Sequence, residues 1–467
     1  MNTVLYLFLV GKIVSDSILN VAKFGGTSLA NYAAMLNCAK VVTANPNTKV
    51  VVVSASAGIT NILVELAHKA LTKEQISQFI IQIEAIEFAI LKDLGEPEQV
   101  ANKLNELLDS LKQLALHEEI LHRPDLKDNL LSHGERMASL LFAEVLSQQG
   151  LRADNFDVRK VMLTDNQFGE AVPQLEAIKQ RAQALMTPDM QHSVLVTQGF
   201  IGADEDGNTT TLGRGGSDFT AALLAEALDA QSCEIWTDVI GVYTTDPRIT
   251  ASARPLPELS FEEAAEMATF GAKVLHPATM EPALRQNIKV FVGSSKEPEK
   301  GGTWIVRDCQ YEPSYRAITR RKEQVMVTVK TPKMMHAQGF LQNVFTIIAK
   351  HNLSVDLVTT SEICVSFTLD NPPNSVLERL NRETIDELSQ ICDVQLEKDY
   401  DLVTVVGNNM HSAAGVSSKI FAAVADFNLR MICFGANPHN MSMLVSEKDS
   451  TAVVIALHRH LFETSTC

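Results

Sequence analysis

Positive charge is scarce in this sequence. Forty Lys and Arg residues stand against 56 Asp and Glu, giving a formal net charge of −16 and a pI near 5.2. Such a surface repels a nucleic-acid backbone, so no DNA or RNA partner is expected. Small anionic ligands are not excluded, because a few local Lys and Arg side chains suffice to hold them. Long apolar runs are also missing: no segment offers the roughly 20 unbroken apolar residues that span a bilayer, so no membrane partner is expected. The seven cysteines, at 38, 233, 309, 364, 392, 433 and 467, include no Cys-x-x-Cys pair. An odd, dispersed set in a chain of 467 residues reads as reduced thiols in the cytoplasm. No His-Glu-x-x-His or similar spacing is found, so no protein-built metal site is expected.

The start of the chain needs separate treatment. Val4–Val10 (VLYLFLV) looks like a signal-peptide core, but no basic residue precedes it and no convincing small-x-small cleavage site follows. Residues 1–19 are read as an N-terminal extension, or as the product of a start codon assigned too far upstream.

Short, near-continuously apolar runs recur through the first two-thirds: Ile18–Phe24, Lys49–Ser54, Val194–Gly202, Cys233–Val239 and Lys289–Gly293. Strands buried on both faces of a parallel sheet look like this. Helical patterns over Ser77–Leu94, Ala101–Leu116, Gly134–Gln148 and Asp218–Ala227 separate them, so an α/β domain is expected, with ligands at the carboxyl ends of its strands. Beyond about residue 300 the pattern changes. Strands are expected at 325–330, 354–362, 364–370 and 394–399 and helices at 339–352 and 375–390, after which the order begins again at 402–409. Two small α+β modules are implied. The second runs out of chain before its fourth strand, so it is either incomplete or exchanges strands with the first. The expected division is a catalytic domain over 20–310, a linker over 311–324, and modules over 325–400 and 401–463.

Six segments carry chemistry. Lys23-Phe-Gly-Gly-Thr-Ser28 follows a strand and precedes a helix, a turn where Gly25 and Gly26 let backbone amides approach a phosphate and where Lys23 could reach a transferring group. It is no Walker A motif, and a Gly-Gly turn alone is usually only a turn. Thr209-Thr-Thr-Leu-Gly-Arg-Gly-Gly-Ser-Asp218 surrounds Arg214 with glycines, a setting for bidentate grip on a carboxylate. Ser217 or Asp218 could be merely the N-cap of the next helix, but capping does not account for the glycines and the arginine. Ser54-Ala-Ser-Ala-Gly-Ile-Thr60 is a further small-residue loop after a strand. Ser132-His-Gly-Glu135 has the capping-box spacing, and spacing does not separate that role for Glu135 from binding a substrate ammonium. Trp236–Arg248 (WTDVIGVYTTDPR) and Phe270–Pro277 (FGAKVLHP) are unremarkable singly.

Together, and in this order, the six segments resemble those of the aspartokinases, and the likeness spans nearly all of Asn20–Glu463. It is nearest to the single-function, lysine-sensitive type, an amino-acid-kinase α/β/α domain with a mainly parallel sheet followed by tandem ferredoxin-like ACT domains. The resemblance implies transfer of the ATP γ-phosphoryl group to the β-carboxylate of L-aspartate, the first step towards lysine, threonine, methionine and diaminopimelate. It gives Lys23 and Asp218 catalytic roles and assigns Thr60, Glu135, Arg214 and Ser217 to aspartate. Lys23, Gly25, Gly26, Ser54, Thr237, Asp238, Tyr243, Arg248 and Lys273 would bind ATP, with Mg²⁺ held mainly by its phosphates. L-Lysine would bind the first ACT-like module through Met334, Phe340, Leu341, Ser354, Val355, Asp356, Thr360, Ser361 and Glu362. In this family the second ACT module is inserted into the first, so the C-terminal segment is expected to complete the first. A homodimer through these modules is implied, with a tetramer a further expectation for the inhibited state. A kinase for glutamate or acetylglutamate and a catalytically silent sensor are the competing readings. Arg214 with Glu135 and the tandem modules argue against the first, and retention of Lys23, Arg214 and Asp218 against the second. With nothing after Cys467 and no Gly-x-Gly-x-x-Gly, fusion to homoserine dehydrogenase is not expected.

Overall fold

A computed structural model describes residues 18–213, 215–272, 275, 277–331, 338–369, 380 and 382–463. The chain forms two compact units, the first running to Asp238 and including Glu281–Pro298, the second made of Val239–Met280 and the chain from Glu299.

The first unit begins with β1 (Asn20–Phe24), α1 (Tyr32–Ala44), β2 (Thr48–Val53) and α2 (Ile59–His68). Four helices follow: α3 (Lys73–Asp93), α4 (Glu98–Ala115), α5 (Pro124–Leu131) and α6 (His133–Gln148). Then come β3 (Ala153–Phe156), α7 (Leu175–Met190), β4 (Val194–Gln198), the small antiparallel pair β5 (Ile201–Ala203) and β6 (Thr209–Thr211), α8 (Gly216–Ala227) and β7 (Ser232–Thr237). After β8 (Glu258–Ser260), α9 (Phe261–Thr269) and α10 (Pro277–Gln286), the chain supplies β9 (Lys289–Ser294). The order β3-β4-β2-β1-β7-β9 is parallel throughout. The reason is visible in β2, whose Val50, Val51, Val52 and Val53 are all fully buried, so both faces of the strand are covered. Register decides where function can sit. Phe24 pairs with Val53 and Trp236, Val53 with Gln198, and Thr237 with Ser294, so the chain leaves these strands along one edge of the sheet.

In the second unit β8 pairs in parallel with β10 (Gly302–Val306). Beyond it run β11 (Ala317–Lys330), α11 (Phe340–Lys350), β12 (Val355–Thr360), β13 (Cys364–Leu369), α12 (Arg382–Ser389) and β14 (Asp393–Val406). The chain ends with α13 (Val416–Ala423), β15 (Leu429–Phe434), β16 (Asn440–Ser446) and α14 (Glu447–His458). One antiparallel sheet takes the order β12-β13-β11-β14-β16-β15.

This sheet corrects three expectations. Residues 317–324, expected in a linker, are strand, and the boundary expected at 400 falls inside β14. Nor does the C-terminal segment complete the first module. Val325–Lys330 pairs with β13 on one side and with the first half of β14 on the other, so that module has its four strands already. The missing strand of the second module comes from upstream instead: Ala317–Arg321 pairs with Leu402–Val406, which pairs with β16. Two 14-residue strands thus serve both modules. Each bends at a charged stretch where one residue takes a positive φ, Glu323 at 58° and Asp399 at 65°. That polar interruption is what made one strand look like two.

Candidate active site

Lys23, in β1, points its ammonium at the first turn of α8, where Nζ lies 2.6 Å from Asp218 Oδ1. Lys23 is 8 % exposed. Neither Ser217 nor Asp218 caps this helix: Gly215 occupies the cap position with φ 71°. A left-handed turn there requires glycine for its conformation, which leaves Asp218 free to meet the lysine. Ser217 is brought to the end of β4, since a side chain on Gly199 would collide with it at 2.5 Å.

The glycine turn after β1 works differently from the expectation. The Gly25 amide donates to Trp236 O at 3.1 Å and so is turned into the sheet. Gly25 lies against the lysine, a Cβ there falling 3.6 Å from Lys23 Nζ, an ordinary contact distance. Gly26 allows the two loops to touch: its Cβ would lie 2.8 Å from Ala55 O. The Ser54 amide donates to Phe24 O, tying the 54–60 loop to the same edge. Thr60 is exposed in the first turn of α2.

Glu135 is not a capping residue. Ser132 makes no side-chain cap and donates instead to Asn129 O, while Glu135 Oε1 accepts the Ala55 amide at 3.3 Å. Burial pushes the Glu135 carboxyl up to about 7, partly offset by backbone hydrogen bonds and by Lys23. A buried carboxylate balanced near neutrality is stabilised by an arriving cation, the character wanted for an ammonium site.

Thr237 and Asp238 lie together at the end of β7, Thr237 Oγ1 donating to Asp238 Oδ1 at 3.2 Å. Tyr243 and Arg248 belong to the second unit, where Arg248 is exposed and paired with Asp246. Arg214, Lys273 and Met334 lie outside the described residues. Sequence reasoning missed two supports. Ser28 Oγ lies 2.6 Å from Ser295 Oγ, and Ser295 donates through both N and Oγ to Thr237 O. Asp128, buried on α5, accepts the amides of Gly169 and Thr211 and so braces the base of the loop that leads to Asp218. Ser28 stood within a motif already singled out, whereas Asp128 gave no local signal.

The amino acid kinase family matches residues 19–294, and an ACT domain matches 403–461. Lysine-sensitive aspartokinase 3 of Escherichia coli (strain K12) is 47% identical over 445 residues, covering 95% of this chain and 99% of that protein. The chain belongs to the aspartokinases. The chloroplastic aspartokinase 3 of Arabidopsis thaliana is 35% identical, covering 96% of this chain and 82% of its own. Among solved structures, E. coli aspartokinase III in complex with aspartate and ADP (R-state) superposes with a TM-score of 0.85 at 46% identity, covering 95% of this chain and all of that one. The same enzyme with lysine and aspartate (T-state) gives 0.83 at 47% identity, covering 95% and 99%.

In this aspartokinase the residues expected to bind an effector lie in the second unit. Phe340 opens α11 and shares an apolar cluster with Val355. Leu341, Ser354, Thr360, Ser361 and Glu362 are exposed. Asp356 is already engaged, its Oδ2 lying 2.6 Å from Arg321 Nη1. Burial nevertheless raises its pKa, with Arg321 opposing.

Proposed function

We propose that this aspartokinase transfers the γ-phosphoryl group of ATP to the β-carboxylate of L-aspartate, giving 4-phospho-L-aspartate and ADP, and that L-lysine inhibits it. The observation that carries the catalytic part is the Lys23–Asp218 pair, on the strand edge that also holds the 54–60 loop and Glu135.

A carboxylate is already a nucleophile at neutral pH, so the reaction needs no general base. The obstacle is electrostatic, an anion approaching a polyanion, and catalysis then comes from positioning and from cations. Lys23 places its positive charge where negative charge builds up on the transferring group, and Asp218 fixes where that ammonium points. Glu135 receives the aspartate ammonium, with Thr60 and Ser217 offering hydroxyls and Arg214 its guanidinium to the α-carboxylate. Ser54, Gly25, Gly26, Thr237 and Asp238 shape the nucleotide side of this edge. The roles of Tyr243, Arg248 and Lys273 towards ATP rest on the resemblance alone. Asp218, the carboxylate paired with Lys23, would stand beside an ion brought by the nucleotide. Mg²⁺ bound to the phosphates would neutralise part of their charge.

Dimerisation through the ACT modules, a tetramer in the inhibited state and a cytoplasmic location belong to the same reading. No helix among the described residues is long and apolar enough to cross a membrane. The test is ADP release with each amino acid in turn. Aspartate should support turnover and glutamate should not, since one more methylene misplaces the nucleophile. Equal turnover of glutamate would overturn the substrate assignment.

A further inference from the structure

Behind the 54–60 loop lies a polar group that the mechanism does not use. Glu87, on α3, is fully buried in the largest apolar core, and neither of its carboxyl oxygens completes a hydrogen bond among the described residues. Ser56 Oγ, 1 % exposed, is in the same condition, and the two groups lie side by side. Orphaned buried polar atoms are few in folded proteins and call for an explanation. Here they converge from a long helix and from the loop whose neighbouring residue, Ala55, bonds Glu135.

We propose that Glu87 is a positioning residue for the amino-acid substrate: through Ser56 it sets the 54–60 loop, and with it the Ala55 amide that orients Glu135. The proposal rests on the reading of Glu135 as the ammonium site. A neutral carboxylic acid offers one O–H and one carbonyl oxygen to a hydroxyl that is itself donor and acceptor, so the pair can satisfy each other with a small shift. An ionised carboxylate could only accept, and it would stand in an apolar core without a cation. Burial alone holds Glu87 protonated, raising its pKa to about 8, and Ser56 opposes this only in part.

Among the described residues no charged group relieves that burden. α3 packs against α1, α2, α4 and α6. On those helices Cys38 donates to Ser28 O, Glu65 pairs with Lys69, Lys112 pairs with Glu84, and His133 bonds Asn129 O and Ser110 Oγ. None of them acts on Glu87. Above pH 8 the carboxylate must draw in water or move the loop, and the substrate site loosens. Glu87 and Glu135 thus set opposite limbs of one profile. Aspartate binding improves as Glu135 ionises through about 7 and declines as Glu87 ionises through about 8.

The test compares the aspartate KM and kcat of wild-type, Glu87→Gln, Ser56→Ala and Glu135→Gln enzymes between pH 6 and 9.5, with aspartate affinity measured by calorimetry at the same pH values. Glutamine keeps shape and hydrogen bonding but cannot ionise. Glu87→Gln should keep a near-normal KM at pH 7 and abolish most of the wild-type rise in KM at pH 9, where roughly nine in ten Glu87 side chains would be ionised. Ser56→Ala should raise KM several-fold with kcat little changed, roughly the effect of one lost buried hydrogen bond. An alkaline rise of KM that is identical in Glu87→Gln and wild type would overturn the proposal, as would a Ser56→Ala KM that does not move. Glu135→Gln separates the two layers. If it leaves KM and the acid limb unchanged, the reading of the ammonium site fails. If it flattens the acid limb while Glu87→Gln changes nothing, only the positioning role fails.

Discussion

Lys23 Nζ and Asp218 Oδ1 stand 2.6 Å apart, joining the first strand of the sheet to the first turn of α8 across 195 residues of chain. The pair is mostly shielded from water, the two side chains being 10% and 16% exposed. An ion pair there fixes a direction more than it adds stability, because the desolvation cost of both groups offsets much of their attraction.

Replacing Lys23 with Ala should therefore lower kcat by roughly 100-fold or more while leaving aspartate affinity nearly intact, as expected for a charge that acts on the transition state. Asp218→Asn should lower kcat less and leave the fold in place. Steady-state kinetics check both, and near-normal turnover of Lys23→Ala would remove the phosphoryl site from the account.

The Glu135 carboxyl, raised to about 7 by burial, gives a pH dependence with a definite sign. The substrate ammonium is bound by the ionised form, so kcat/KM for aspartate should climb between pH 6 and 8, reporting the free enzyme. Glu135→Gln should flatten this climb and raise KM by about 10- to 100-fold, the loss of one charge-assisted hydrogen bond. A mere cap would show neither effect.

In the second unit, Asp356 bonded to Arg321 predicts competition. A lysine ammonium that binds Asp356 must displace the guanidinium. Arg321→Gln should then lower the lysine concentration needed for half-inhibition, while Asp356→Ala and Thr360→Met should raise it. Inhibition curves at fixed aspartate check the order, and identical curves for all three would contradict the effector reading. Lysine must also favour an inactive arrangement, since tight binding alone shifts no equilibrium.

Glu263 is a structural counterpart. Fully buried, it accepts from Arg316 Nε at 2.6 Å, from Asn408 Nδ2 at 2.5 Å, and through Oε2 from the Ser260 amide. Glu263→Ala strands a buried guanidinium and removes a capping box, so it should destabilise the second unit by about 3–5 kcal/mol. Thermal or urea unfolding measures this.

Much of this was legible before any coordinates. The all-valine run of β2 and its parallel neighbours announced a doubly covered sheet, and the segments 23–28 and 54–60 do leave it at the ends of β1 and β2, whereas 209–218 starts in the small antiparallel pair. Where sequence reading failed, one local pattern fitted two structures. Ser132-x-x-Glu135 fits a capping box as well as a buried carboxylate, and only the Ala55 amide, 80 residues away, decides between them. The charged bends at Glu323 and Asp399 read as module boundaries because a positive φ in mid-strand has no reliable sequence signature outside glycine. Ser295, Asp128 and Glu87 act through partners far along the chain, and a solitary polar residue inside a helix or at a strand end does not name its partner.

The most direct test of the central claim is acyl-phosphate capture: the enzyme is incubated with ATP, Mg²⁺, L-aspartate and hydroxylamine, and the ferric hydroxamate complex is measured with and without millimolar L-lysine. The account predicts hydroxamate formation that requires both ATP and aspartate, that fails with glutamate, and that lysine suppresses. ADP release without hydroxamate would contradict phosphorylation of a carboxylate. Hydroxamate formation indifferent to lysine but abolished by threonine would leave the chemistry standing and overturn the assignment of its effector.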